Sequence, residues 1–183
     1  MSLELIIGPM FSGKSTRLLD TIKRNRFAGI KTFCVTSSFD TRWAKEISIT
    51  THANESFPAV STQVLSDIRD NQDYKNAICI IIEEAQFFPD LKEFVLNAVE
   101  VDGKRVICAG LDGDSERRPF GQILDLIPYC NSVTKLNAKC TRCELAAIFT
   151  FRKSDAVTEQ VYVAGADEYE ALCRSHYLEF SCV

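Results

Sequence analysis

The segment GPMFSGKST at positions 8–16 constrains the fold of this chain more than any other stretch. It matches the phosphate-loop pattern G-x-x-x-x-G-K-[ST] at Gly8, Gly13, Lys14 and Ser15. Glycines let the main chain turn so that successive N–H groups converge on a phosphate, and the lysine adds a full positive charge. The serine hydroxyl is suited to reach Mg²⁺. The segment therefore predicts a nucleotide-binding loop.

The flanking residues agree with this interpretation. LELII at 3–7 is a short apolar run suited to a strand, and STRLLDTIKRNRF contains no glycine or proline. Leu18, Leu19 and Ile22 fall on one face of the predicted helix. A glycine-containing turn without a ligand could match the same short pattern by chance. The strand before it and the helix after it favour the phosphate loop, whose N–H groups and helix N-terminus attract anions.

The rest of the chain predicts an α/β fold. Apolar, β-branched runs recur as KTFCVTS, AICIII, RVICAG and SVTKL, and DLKEFVLNAVE has the apolar spacing of a helix. Strands alternating with helices are typical of a parallel sheet flanked by helices, here of the P-loop (RecA-like) kind. The sequence pattern changes from about residue 138 onwards: two short strands are expected, at 148–151 and 160–163, with paired cysteine or histidine residues on either side. We expect a nucleotide-binding domain at 1–137 and a small appended domain at 138–183.

Composition excludes several classes of function. With 183 residues, 46% hydrophobic and 25% charged, the chain resembles an ordinary globular protein. A net charge of −4 gives no basic surface for nucleic acid. The apolar runs are too short to cross a bilayer, and no signal-peptide pattern is present. We therefore expect a cytoplasmic protein without a nucleic-acid or membrane partner, whose cysteines are thiols or metal ligands.

Four residues in the C-terminal segment have the spacing of a metal site. Cys140 and Cys143 form C-x2-C, and Cys173 and His176 form C-x2-H further along the chain. Two such pairs predict a tetrahedral Cys3His site for structural Zn²⁺ with no open coordination position. The alternative is four unrelated residues. Zinc is favoured because a small appendage has too little core to order itself without a metal.

An acidic pair follows the third apolar run, in CIIIEEAQFFPD. Near a phosphate loop, one carboxylate at the end of a neighbouring strand can help to hold Mg²⁺, and the next can accept a proton from an attacking hydroxyl. Adjacent side chains leaving a strand point in opposite directions, so Glu83 and Glu84 are expected to have different roles. Gln86 with its aromatic neighbours Phe87 and Phe88 could form part of a pocket for a flat ring, although Phe87 or Phe88 could simply belong to the core.

Taken together, these motifs resemble the type II thymidine kinases, the cellular and poxvirus-like class with a zinc-bearing lasso domain. The resemblance rests on GPMFSGKST, DTR at 40–42, EEAQFFPD, GLDGDSERRPFG, KLNAKCTRC and GADEYEALCRSH, six motifs in order along nearly the whole chain. It implies transfer of the γ-phosphate of ATP to the 5′-hydroxyl of thymidine, with Mg²⁺, in a homotetramer.

The resemblance also implies roles for individual residues. Glu84 would be the general base and Glu83 the magnesium-associated acid. Independently of the resemblance, Arg42 or Arg117 is a candidate to neutralise further charge, with a role in surface solubility as the alternative for each. The implied ATP site consists of Gly8, Pro9, Met10, Phe11, Ser12, Gly13, Lys14, Ser15, Asp40, Thr41, Arg42, Glu83, Ala85 and Gln86. The implied nucleoside site consists of Met10, Phe87, Leu111, Ser115, Phe120, Gln160, Val161, Tyr162, Val163, Ala164 and Tyr169.

The chain departs from the family pattern at four positions. Glu83 replaces an aspartate, Ala85 a glycine, Ser115 a phenylalanine of the cellular relatives and His176 a cysteine. A looser wall at Ser115 would permit another deoxynucleoside, such as deoxycytidine or deoxyuridine. A different class of function also stays open, in which a phosphate-loop ATPase uses its zinc unit to grip a partner. ATP consumption that requires an added nucleoside would separate the two.

Overall fold

A computed structural model describes residues 1–39, 48–50, 56–153, 160 and 164–181. The strands are β1 Ser2–Ile7, β2 Thr32–Ser37, β3 Ser48–Thr50, β4 Ser56–Pro58, β5 Val60–Thr62, β6 Cys79–Ile82, β7 Arg105–Gly110, β8 Ser132–Lys135, β9 Ala138–Lys139, β10 Ala146–Ala147, β11 Phe149–Arg152 and β12 Tyr169–Leu172. The helices are α1 Lys14–Phe27, α2 Gln72–Asn76, α3 Leu91–Leu96 and α4 Arg174–Ser181. Short 3₁₀ segments cover Leu65–Ile68, Ala85–Phe87 and Ile123–Tyr129, and one π-helical turn, Asn97–Val101, continues α3.

Six strands form one sheet in the order β5-β2-β6-β7-β1-β8, and every neighbouring pair is parallel. The predicted α/β architecture with a parallel sheet is therefore confirmed. Strand β1, which leads into the phosphate loop, is separated from the acidic strand β6 by β7 alone. Because the strands are parallel, the residues that follow β1, β6 and β7 come out at the same edge of the sheet.

The central strands β1, β6 and β7 are largely buried on both faces, which explains their unbroken apolar runs in the sequence, whereas the edge strand β8 is exposed. Along β6, Ile80 and Ile82 belong to one apolar cluster, whereas Ile81 belongs to the cluster on the other face. The first cluster is covered by α2 and α3 and the second by α1, through Leu18, Leu19 and Ile22. This alternation is the period-two geometry of a strand. The amphipathic pattern of α1 predicted its buried face correctly.

Three cysteines, Cys34, Cys79 and Cys108, are buried in these clusters, as expected of small apolar side chains. Burial raises the pKa of each thiol, to about 12 for Cys34. They are therefore protonated packing groups at neutral pH.

The C-terminal segment has its own small apolar cluster, which includes Ala147, Leu172 and Tyr177. Its strands form two antiparallel pairs, β9 with β10 and β11 with β12. The expected strand at 148–151 is present, shifted by one residue, but its partner is Tyr169–Leu172. The expectation of a strand at 160–163 is not met at Gln160, which lies in a bend; positions 161–163 are outside the described residues.

In the described part of the chain, no helix combines the length and the apolar character needed to cross a membrane.

Candidate functional site

The phosphate loop joins β1 to α1 and takes an unusual backbone path. Gly8, Phe11 and Gly13 have positive φ angles of 152°, 63° and 85°. A Cβ at Gly8 would overlap the carbonyl oxygen of Leu136, so only glycine fits there. Left-handed residues within a turn direct neighbouring N–H groups into one concavity that binds anions. Helix α1 begins directly after it and has no acidic residue in its first turn, so its positive end is not neutralised.

Two polar side chains of the loop are suited to an anionic ligand. The Ser12 hydroxyl is buried and, among the described residues, has no hydrogen-bond partner. Lys14 Nζ donates to the carbonyl oxygens of Gly8 and Pro9 at 3.1 and 2.8 Å, which keeps the ammonium group over the loop. Burial lowers the pKa of Lys14, whereas the carboxylates of Glu84, Asp112 and Glu83 act to raise it. The loop thus presents an unmatched hydroxyl donor and a cation at one place.

The two acidic residues after β6 differ in their surroundings. Glu83 is buried, and its N–H donates to the carbonyl of Val35 at 2.9 Å. Glu84 is half-buried and has φ 50°, a left-handed conformation that is uncommon for glutamate and frequent at functional sites. The residue after it, Ala85, begins a 3₁₀ turn without positive φ, so alanine is tolerated where the family has glycine.

Gln86 links Glu84 to the end of strand β7. Its Nε2 donates to Glu84 Oε2 at 2.6 Å, and its Oε1 accepts from the N–H of Leu111 at 3.0 Å. The Gln86 side chain is buried. The two side-chain hydrogen bonds of Gln86 therefore join Glu84 to the loop after β7, a role that the sequence pattern did not specify.

A cluster of three aromatic rings includes Phe87, which follows the acidic pair in the sequence. The rings of Phe87 and Phe120 meet edge to face with their centroids 5.5 Å apart, and the ring of Phe39 lies 6.2 Å from that of Phe87, centroid to centroid. Phe120 is buried and Phe87 is half-buried. The structure thus brings together two residues predicted for a flat ring and adds Phe39, which the sequence analysis did not select.

The loop that follows β7, residues 111–121, is organised by Asp114, which the sequence analysis missed. The buried carboxylate of Asp114 accepts hydrogen bonds from the N–H groups of Glu116 and Arg118 and from Arg118 Nε. It also accepts from Gln160 Nε2 at 2.8 Å. Burial acts to raise the pKa of Asp114, but these donors outweigh it and hold that pKa below its usual value.

The same loop also contacts helix α4 of the C-terminal segment. Tyr177 Oη donates to the carbonyl oxygen of Ser115 at 2.5 Å. The guanidinium group of Arg117, a residue with φ 65°, lies 4.7 Å from the ring centre of Tyr177. Arg117 therefore stacks on the C-terminal segment in this structure.

A second carboxylate that was not predicted for the site, Asp112, lies two residues after the end of β7. It forms an ion pair with Lys135, which ends β8. Asp112 also acts electrostatically on Lys14, as do Glu83 and Glu84. The sequence feature that could have indicated Asp112 and Asp114 is the acidic content of GLDGDSERRPFG, a segment that entered the prediction only as a motif of the family resemblance.

The four predicted metal ligands come together, with all ligand atoms within 4.8 Å of one another. Cys143 Sγ and Cys173 Sγ are 3.7 Å apart, and His176 Nδ1 lies 3.6 Å from Cys140 Sγ and 3.2 Å from Cys173 Sγ. A tetrahedron with Zn–S bonds of about 2.3 Å has S···S edges of about 3.8 Å. The residues present therefore fit a closed zinc site, and histidine takes the fourth position.

The charge state of two of the three thiols, Cys140 and Cys173, suits a metal as well. The pKa of Cys143 is raised, because the hydrogen bond from the Leu145 N–H, which acts to lower it, is outweighed by burial and by the contacts with Cys173 and Cys140. Burial acts to raise the pKa of Cys140, but hydrogen bonds from the N–H groups of Cys173, Arg142 and Cys143 bring it to about 6. The N–H of His176 lowers the pKa of Cys173 in the same way. Thiolates are the form that binds zinc.

Some of the remaining predicted site residues are described by the structure, and others lie outside the described residues. Tyr169 is buried at the start of β12, opposite Arg152, and Ala164 is half-buried. The predicted residues Asp40, Thr41, Arg42, Val161, Tyr162 and Val163 lie outside the described residues. Met10, by contrast, is tied to the C-terminal segment, because its N–H donates to Thr150 Oγ1 at 3.0 Å.

Comparison with known proteins gives one consistent result. The family model described as thymidine kinase matches residues 1–177. "Thymidine kinase a" of Arabidopsis thaliana is 46% identical over 97% of this chain and 75% of its own length. "Thymidine kinase, cytosolic" of Homo sapiens is 39% identical over 97% and 73%, and the "Thymidine kinase" of Yaba monkey tumor virus is 39% identical over 98% and 96%.

Proposed function

This chain belongs to the thymidine kinase family, and we propose that it transfers the γ-phosphoryl group of ATP to the 5′-hydroxyl of thymidine. The product is thymidine monophosphate, a precursor for DNA synthesis. One observation carries the proposal: the phosphate loop with Lys14 and the carboxylate of Glu84 follow parallel strands at one edge of the sheet, within electrostatic reach of each other. That arrangement supplies a site for the donor phosphates beside a proton acceptor.

The donor side of the reaction is assigned to the loop. Its N–H groups, the Ser12 hydroxyl and the Lys14 ammonium would hold the β- and γ-phosphates, and the helix dipole of α1 would add to the attraction. Mg²⁺, when bound, neutralises charge on the phosphates. Ser15 and Glu83 are the residues we propose to hold it, directly or through water. Lys14 then stabilises the charge that develops on the transferred group.

The acceptor side is assigned to Glu84 and the aromatic residues. The edge-to-face pair Phe87 and Phe120 would contact the thymine ring, with Leu111 on the loop after β7. Glu84 would accept the proton of the 5′-hydroxyl as its oxygen attacks the γ-phosphorus. The bond between that phosphorus and the bridging oxygen breaks, ADP leaves with the electron pair, and the proton passes from Glu84 to solvent.

The surrounding organisation is also a proposal. We propose a phosphate-loop domain at 1–137 and a zinc-bearing lasso domain at 138–183, supported by the separate apolar cluster of the second. Zinc would be structural, because its four protein ligands leave no open position. We further propose a cytoplasmic homotetramer without nucleic-acid or membrane partners, on the family resemblance, the name of the human relative and the net charge of −4. Light scattering on the pure protein tests the tetramer.

The activity test incubates the pure protein with Mg·ATP and each deoxynucleoside separately and identifies any 5′-monophosphate. Thymidine is expected to be converted, and the other nucleosides measure how strictly the base is selected. Glu84→Gln keeps the shape and removes the base, so kcat should fall by about 10²-fold or more. Glu93→Gln, on the exposed face of α3, is the matched control. Phosphate release that needs a macromolecule and no nucleoside would overturn the proposal.

A further inference from the structure

Gln86 has both ends of its side-chain amide engaged in a buried position, with only 3% of the residue exposed. Its Oε1 accepts from the main-chain N–H of Leu111, and its Nε2 donates to Glu84 Oε2. A main-chain N–H can only donate, so the oxygen of the amide must face Leu111 and the NH₂ group must face Glu84. The orientation of the Gln86 amide is therefore fixed by its partners.

Packing around Gln86 also leaves it little freedom. A Cβ at Gly110 would lie 2.5 Å from Gln86 Oε1, and one at Gly121 would overlap the Gln86 carbonyl oxygen. Gly121 has φ 59°, a conformation that favours glycine. The absence of side chains at these two positions lets β7 and the following loop close against Gln86. The amide thus sits in a rigid frame formed by two other segments.

The hydrogen bond from Gln86 makes the two carboxylate oxygens of Glu84 unequal. A hydrogen bond of 2.6 Å to a carboxylate is short, and donors to charged acceptors contribute more than neutral pairs. Rotation of the carboxylate would break it, so Oε2 is committed to Gln86, whereas Oε1 has no donor among the described residues and keeps its lone pairs for one. We infer that Gln86 is a positioning residue, which fixes the Glu84 carboxylate so that Oε1 receives the proton of the acceptor hydroxyl.

The second bond of Gln86 extends this role to the acceptor loop. Leu111 begins the loop that ends with Phe120, and both residues belong to the proposed nucleoside site. The same amide therefore joins the proton acceptor to the loop that would hold the nucleoside. A small error in the alignment of reacting groups lowers rates by large factors, about 10²-fold for 1 Å. This inference rests on the proposed role of Glu84.

Two substitutions separate the two bonds of Gln86. Gln86→Glu keeps an oxygen for the Leu111 N–H but replaces the donor to Glu84 with a second negative charge. Gln86→Met has similar length and removes both bonds. We expect kcat to fall by about 10-fold or more in Gln86→Glu, while the KM values for ATP and thymidine stay within about threefold.

A double-mutant cycle distinguishes positioning from general support of the fold. In the Glu84→Gln background, Gln86→Met should lower kcat by less than about twofold further, because the group it positions is already lost. Gln122→Met is the matched control. The side-chain amide of Gln122 also makes two hydrogen bonds to another segment, accepting from the Lys92 N–H and donating to the Pro89 carbonyl. Neither of these bonds involves Glu84. Gln122→Met should therefore leave kcat unchanged. Melting curves establish that each variant is folded.

The outcomes are distinct. Unchanged kcat in Gln86→Glu, or a full multiplicative loss when Gln86→Met is added to Glu84→Gln, would overturn the positioning role and leave the proposed function standing. Near-normal kcat in Glu84→Gln alone would overturn the assignment of the base, and the role of Gln86 with it.

Discussion

The main-chain N–H of Met10 donates a 3.0 Å hydrogen bond to Oγ1 of Thr150, a residue 140 positions further along the chain. Met10 lies in the phosphate loop and Thr150 in strand β11 of the C-terminal segment. Phe11, the next loop residue, packs against the apolar cluster of that segment. The backbone path of the phosphate loop is thus supported by the segment that carries the predicted zinc ligands.

Replacement of Thr150 by valine should weaken ATP binding. Thr150 is buried, and its loss as an acceptor leaves the Met10 N–H without its partner, at a cost of about 1–3 kcal/mol. We expect the Kd for ATP, measured by titration calorimetry, to rise by about 10-fold. Thr150→Ser retains the oxygen and should bind almost normally. Thr141→Val removes a threonine bond to Glu170 in the same segment and should leave the Kd unchanged; equal effects of both valine variants would contradict the prediction.

Metal removal should unfold the C-terminal segment first. The ligand atoms of the four residues lie within 4.8 Å of one another. The C-terminal segment that carries them has only a small apolar cluster to stabilise it without the metal. We expect one zinc per chain by elemental analysis and a fall in Tm of about 10 °C or more with a chelator. Cys143→Ser should lose the metal and His176→Cys should retain it. Cys130→Ser is the control, because the thiol of Cys130 donates to the carbonyl of Ile127 and is not one of the four ligands.

Stability should depend on pH through Asp114. Because its pKa is lower in the folded than in the unfolded protein, the contribution of Asp114 is complete above its ordinary pKa of about 4 and is lost as pH falls through the folded value. Asp114→Asn should therefore lower the free energy of unfolding by about 2 kcal/mol at pH 7, the scale of hydrogen bonds to a charged group. The difference from the natural chain should shrink below about pH 4. Urea titrations at several pH values measure it, and a constant difference would contradict the assignment.

Gly121→Ala should be more damaging than Gly110→Ala. At Gly121 the added Cβ meets the main-chain carbonyl of Gln86, which cannot move away, and φ is 59°. At Gly110 the Cβ meets the Gln86 side-chain oxygen, which can shift at the expense of its bond to Leu111. We expect a clear loss of Tm for Gly121→Ala. Gly110→Ala should keep more stability but lose kcat, and the reverse order would contradict this packing argument.

Much of the fold could be predicted from local patterns. Each of the apolar runs KTFCVTS, AICIII, RVICAG and SVTKL contains a strand of the parallel sheet, and DLKEFVLNAVE contains α3. These predictions succeed because buried strands and amphipathic helices depend on residues only a few positions apart. The partner of β11, Tyr169–Leu172, was not predicted, since pairing in an antiparallel sheet depends on which distant segment supplies the neighbour. Of the strand expected at 160–163, only Gln160 is described, and it lies in a bend.

The site divides in the same way. The sequence by itself determined the phosphate loop, the acidic pair and the four metal ligands, because each of these is defined by residue type and short spacing. Only the tertiary structure decided that Gln86 accepts from Leu111, that Asp114 accepts from Gln160 and that Thr150 supports Met10. Those contacts join segments that meet only after the parallel strands align their ends at one edge of the sheet. A single polar side chain carries no sign in the sequence of which distant partner it will meet there.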